Sequence, residues 1–132
     1  MLIKQLTYAA FMALIAIAIS LPAFAAPSVS RSAFTREIVA REPAEASVEF
    51  PSDVGEVYFF TQILDAGKSE EIVHRWDYNG ETVAEVSLHV EGPSWRTWSS
   101  KKVMPHQLGA WSVTVITAEG DAIETANFTI TK

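Results

Sequence analysis

Cysteine is absent from all 132 residues, which removes disulfides, thiolate nucleophiles and cysteine-ligated metals together. Basic residues are few, with 10 Lys and Arg against 16 Asp and Glu. A protein that tracks a nucleic-acid backbone shows the reverse balance, so nucleic acid is not an expected partner. One apolar run stands out, residues 9–21, and it is short for a spanning helix, which needs roughly 20 apolar residues. Lys4 precedes that run, Pro22 breaks it, and Ala23-Phe24-Ala25 has the small-x-small form of a signal-peptidase site. These features predict a cleaved signal peptide over residues 1–25 and a periplasmic or secreted product. The alternative is an uncleaved N-terminal anchor, and only in that form does the chain have a membrane contact. No cysteine follows the apolar run, so a lipid anchor at that position is excluded.

What remains is enough chain for one core and not for two. Residues 26–33 are small and contain Pro27 and several serines, and read as a disordered lead-in. Residues 34–39 read as a first strand, and Arg41-Glu42-Pro43-Ala44-Glu45 as a polar connection. From there period-two patterning dominates. Residues 56–64 place apolar groups on both faces and read as a central strand. Residues 71–78 put Ile72, His74, Trp76 and Tyr78 on one side and Val73, Arg75 and Asp77 on the other. Asn79-Gly80 separates two such runs and is the pair that a two-residue type I′ hairpin requires. Residues 82–90 alternate, with Ala84, Val86, Leu88 and Val90 inward. Further strands follow around Trp95, around Trp111-Ser112-Val113-Thr114-Val115, and through Ala126, Phe128 and Ile130. The expected domain, residues 34–132, is an all-β antiparallel sandwich of about seven strands, immunoglobulin-like or fibronectin-like, with a small barrel as the alternative.

Tyr58-Phe59-Phe60-Thr61, His74-Arg75-Trp76, the segment Trp95-Arg96-Thr97-Trp98-Ser99-Ser100-Lys101 and Gly109-Ala110-Trp111 resemble a bacterial family known as domain of unknown function 2914. Phe34-Thr35 and Arg41-Glu42-Pro43 extend the resemblance over residues 34–130. It implies an envelope-associated bacterial β domain and implies neither a reaction nor a ligand.

Arg75, Arg96, Lys101 and Lys102 concentrate positive charge beside Trp76, Trp95 and Trp98. Should the two segments neighbour each other in one sheet, guanidinium groups and indole faces would form a cleft for an anionic glycan, a phosphate or a chain-terminal carboxylate. The competing reading makes the tryptophans core anchors and pairs Arg75 with Asp77. The candidate ligand-binding set is therefore His74, Arg75, Trp95, Arg96, Trp98, Ser99 and Lys101. His74, Asp77 and Ser99 or Ser100 sketch a nucleophile, base and orienter, but His74 and Asp77 have opposite parity on one strand and no Gly-x-Ser-x-Gly elbow is present. His74, His89 and His106 lack the spacing of a metal site, and neither a metal nor a cofactor is expected. The sequence thus points to a non-enzymatic binding or assembly domain of the bacterial envelope, with an envelope protein or glycan as partner. A carbohydrate-binding module is the alternative, and a hydrolase a remote third.

Overall fold

A computed structural model describes residues 15–18 and 26–132. The expected signal-peptidase site lies outside these residues. No helix among them is long and apolar enough to cross a membrane. The described chain is all β, with ten strands: β1 (Ser28–Thr35), β2 (Glu37–Val39), β3 (Glu42–Ala44), β4 (Glu49–Pro51), β5 (Glu56–Leu64), β6 (Glu70–Tyr78), β7 (Glu81–Val90), β8 (Ser94–Lys102), β9 (Gly109–Thr117) and β10 (Ala122–Thr131).

The strands form a three-stranded sheet in the order β1-β5-β8, a five-stranded sheet in the order β4-β10-β9-β6-β7, and the small β2-β3 pair. Only β4 on β10 is parallel. The two larger sheets face each other across an aromatic core. Phe34 of β1 and Phe59 of β5 meet Trp76 of β6 and Phe128 of β10, with Phe34 and Phe128 centroids 4.6 Å apart and Phe59 edge-on to Trp76 at 6.5 Å. Trp111 of β9 stacks on Phe128 at 5.6 Å, and Phe50 of β4 closes the far side.

Alternation explains most of this placement. In β6 Ile72, His74 and Trp76 are buried, as their shared parity requires, and in β9 Trp111, Val113 and Val115 are buried likewise. Asn79 and Gly80 both take positive φ, 49° and 84°, and turn β6 into β7 so that Tyr78 faces Glu81. A Gly80→Ala substitution will therefore cost about 1 kcal/mol, read as a lower urea midpoint with an unchanged slope, because alanine resists that φ.

The N-terminal third departs from the pattern read from the sequence. Residues 26–33 are not a loose lead-in: Ser28–Thr35 is a strand paired with β5 along its length, from Ser28 opposite Leu64 to Thr35 opposite Tyr58. Small, polar residues carry little strand signal of their own, and here the partner strand supplies the hydrogen bonds while Phe34 supplies the anchor. The expected first strand, 34–39, is divided at Arg36 between β1 and β2. The expected polar connection 41–45 contains strand β3, which returns along β2 through Ala40 and Arg41, at φ 50° and 63°. This is a two-residue hairpin made without glycine or asparagine. Pro43 is tolerated because it stands opposite Ile38, one pair from the turn, where an antiparallel ladder has no hydrogen bond to lose.

That hairpin also explains why β5 is apolar on both faces. Phe59 points to the core, whereas Phe60 points to the opposite side of the three-stranded sheet and is nevertheless fully buried. Arg31 lies across its ring at 5.1 Å, and the hairpin folds over the same face, with Thr35 Oγ1 donating to the carbonyl oxygen of Ala44.

Candidate functional site

Two polar clusters stand out, one closed inside the molecule and one open on its surface. The closed cluster spans the two sheets. His74 of β6 places Nδ1 2.7 Å from Ser99 Oγ of β8 and Nε2 3.1 Å from Thr61 Oγ1 of β5. Trp76 Nε1 donates to the same Ser99 oxygen at 3.1 Å. Thr61, His74 and Trp76 are fully buried and Ser99 is nearly so. A neutral imidazole suits this setting: one ring nitrogen donates and the other accepts, and each hydroxyl serves either need. A charged ring would oblige Ser99 to accept from both His74 and Trp76 and leave its own proton to find a third partner in an apolar core. Burial accordingly depresses the His74 pKa from its ordinary 6.5 to about 3. The Ser99 and His74 pair has hydrolase-like spacing but is closed off, His74 fully and Ser99 nearly so, and Asp77 sits on the opposite face, as its parity dictated.

The open cluster lies on the outer face of the three-stranded sheet. Arg31 of β1 donates to both carboxylate oxygens of Glu42, at 2.5 and 3.2 Å, and Arg96 of β8 donates to Glu42 Oε1 at 2.9 Å. Arg31 also reaches Gln62 of β5 at 3.1 Å. Glu42 belongs to β3, so two guanidiniums on the sheet grip the hairpin through one carboxylate. Those donors, Arg31 first and Arg96 second, lower the Glu42 pKa to about 2, and the carboxylate in turn raises that of Arg31. Arg41, at the hairpin turn, places its guanidinium 5.6 Å from the centre of the Trp98 ring and donates to the carbonyl oxygen of Arg96 at 3.1 Å. A shallow cleft of about 220 Å³ runs round the free edge of β8 and is lined by Arg41, His89, Trp95, Arg96, Thr97 and Trp98. His89 of β7 meets Trp95 edge-on at 5.5 Å.

The candidate residues named from the sequence are thereby divided. Segments 71–78 and 95–101 belong to different sheets, so the single cleft joining Arg75 and Trp76 to Arg96 and Trp98 does not form. Arg75 is on the outer face of the larger sheet, 3.4 Å from Asp77. His74 and Ser99 are core residues that no ligand reaches in this structure. Lys101, at the end of β8, donates to the Lys102 carbonyl oxygen at 3.1 Å. Arg96 and Trp98 share the outer face, and Trp95, three residues before Trp98, points to the other face and joins them only at the rim. The three histidines lie apart, and no group of three His, Asp or Glu side chains among the described residues is arranged to hold a metal. Arg31, Arg41 and Glu42 were not among the candidate site residues, because nothing local marks a residue whose partners are 11 and 54 positions away.

Fold and site together define a small all-β domain with a sealed polar core and a guanidinium-rich, aromatic outer face. The model of a family described as a protein of unknown function (DUF2914) matches residues 69–130, from β6 to β10, and supports the resemblance read from the sequence. The match contains Arg96 and Trp98, whereas Arg31, Arg41 and Glu42 precede it. No curated protein matches the chain.

Proposed function

We propose that this protein is a non-enzymatic binding domain of the bacterial envelope, periplasmic or secreted, and that it recognises an anionic envelope component through the outer face of its three-stranded sheet. The observation that carries this reading is the convergence of Arg31, Arg41 and Arg96 with Trp98 on one face of a chain with net charge −6. Basic side chains gathered against the overall charge and beside an aromatic surface are recognition chemistry. The complete burial of His74, whose ring nitrogen meets the Ser99 hydroxyl, supports a role without turnover.

We read the fold as an immunoglobulin-like sandwich. The order β1-β5-β8 facing β10-β9-β6-β7 corresponds to an A, B, E sheet opposed to a G, F, C, C′ sheet. Trp76, buried on the strand equivalent to C, supports the same reading.

The test is capture from native envelope extract with the unmutated protein and an Arg96→Ala/Trp98→Ala variant as parallel baits. Both changes lie outside the core, so the variant will keep its fold and lose about 1 kcal/mol or less, while losing the captured component. Equal capture by both baits, or none by either, would return these residues to a structural role.

A further inference from the structure

The geometry points to Glu42 as a resident stand-in for a ligand: the Arg31 and Arg96 guanidiniums form a carboxylate-binding site, the β2-β3 hairpin closes it, and a carboxylate-bearing glycan takes the place of Glu42. This deepens the binding role proposed above and rests on it.

Three features of the cluster lead there. First, the arrangement is already that of carboxylate recognition, with Arg31 holding both oxygens and Arg96 one. Second, the clamp is exchangeable. The Arg31, Arg96 and Glu42 side chains are 49 %, 37 % and 41 % exposed, and ion pairs so exposed hold little net energy against a competing anion in water. Third, the hairpin is poorly equipped to hold itself shut. Its strands have three residues each, and Ala40 and Arg41 both occupy the left-handed region that side chains resist.

Displacing the hairpin changes the surface in a directed way. Arg41 leaves the Trp98 ring, and the face of the sheet above Phe60 opens beside two freed guanidiniums. Flat aromatic surface flanked by cations fits a sugar ring that carries a carboxylate. Because the hairpin competes with the ligand, apparent affinity is scaled by the fraction of molecules in which the site is open.

Calorimetric titration of the purified protein with trigalacturonate tests this, using wild type, Glu42→Ala and Arg31→Ala/Arg96→Ala, with neutral galactotriose as control. Glu42→Ala will bind trigalacturonate about tenfold more tightly than wild type. The double arginine variant will bind it at least tenfold more weakly, and galactotriose will bind to none of them. Hydrogen exchange on wild type provides a readout independent of how the variants fold: amides of residues 37–44 will lose protection as trigalacturonate is added. Gain of protection there, or a Glu42→Ala affinity no higher than wild type, overturns the proposal. Binding of peptides with a free C-terminal carboxylate but not of their amidated forms, in place of the uronate, overturns the glycan assignment. Should envelope capture still depend on Arg96 and Trp98 while trigalacturonate does not bind, the stand-in role alone falls; loss of both results removes the binding face as well.

Discussion

Acidification will destabilise this domain chiefly through one residue. His74 titrates near its ordinary 6.5 once the chain is unfolded but only at about 3 in the fold, because burial disfavours the charged ring. Between those values the unfolded chain binds a proton that the folded one refuses, so stability falls as pH falls through this window and levels off below it. The loss is about 1.4 kcal/mol per pH unit, several kcal/mol in all, against a typical total of about 5–15 kcal/mol for a domain. Urea unfolding at successive pH values from 7 to 4 will show this slope in wild type and a shallower one in His74→Gln, which has no proton to bind. Glu42, held near 2, acts in the same direction but from about pH 4.5 downward, so the interval between 6.5 and 5 isolates His74. Identical slopes for the two proteins would mean that His74 is not the titrating group.

Removing the indole of Trp76 will be the most costly single truncation. Its ring touches Phe34 and Phe59 from the opposing sheet and Phe128 from its own, at centroid distances of 6.4, 6.5 and 6.2 Å. Its Nε1 donates to Ser99 Oγ. Trp76→Ala opens a cavity that none of these rings can fill without leaving its own contacts, and will cost about 3–5 kcal/mol. Trp76→Phe separates the two contributions. It retains most of the packing but leaves Ser99 short of a donor, at a cost of about 1 kcal/mol beyond the lost ring volume. Denaturant midpoints of the three proteins measure both effects, and a loss below 1 kcal/mol for the alanine variant would place Trp76 outside the core. As Trp76 meets the three-stranded sheet from its core side, opposite the guanidinium face, any weakening of ligand capture will follow stability alone.

The parts of the fold legible in the sequence are those that local geometry controls. Asn79-Gly80 announced its hairpin because few other pairs accept two positive φ values. The inward faces of β6, β7 and β9 followed from alternation, since successive side chains must point to opposite sides. The same rule separates Trp95 from Trp98 and His74 from Asp77, although closeness in sequence invites grouping them. The turn at Ala40-Arg41 carries no such mark: those residues adopt positive φ only because the hairpin they join is held against the sheet by Glu42 and by the hydrogen bond from Thr35. β1 was equally silent, as its serines and alanine favour no conformation until β5 offers a row of partners.

The candidate site shows the division most clearly. Arg96 and Trp98 were found because they lie in one dense stretch of basic and aromatic residues, and Arg75 was placed with them for the same reason. Tertiary structure then put Arg75 on the larger sheet and brought Arg31 and Glu42 to Arg96 instead. By itself the sequence determined that the domain is all β and which side chains of most strands share a face, because the two-residue repeat is a property of the extended backbone. Only the tertiary structure decided which strands lie side by side, and with them which charges meet, because strand partnership is settled by closing the whole core and not by any stretch of neighbouring residues.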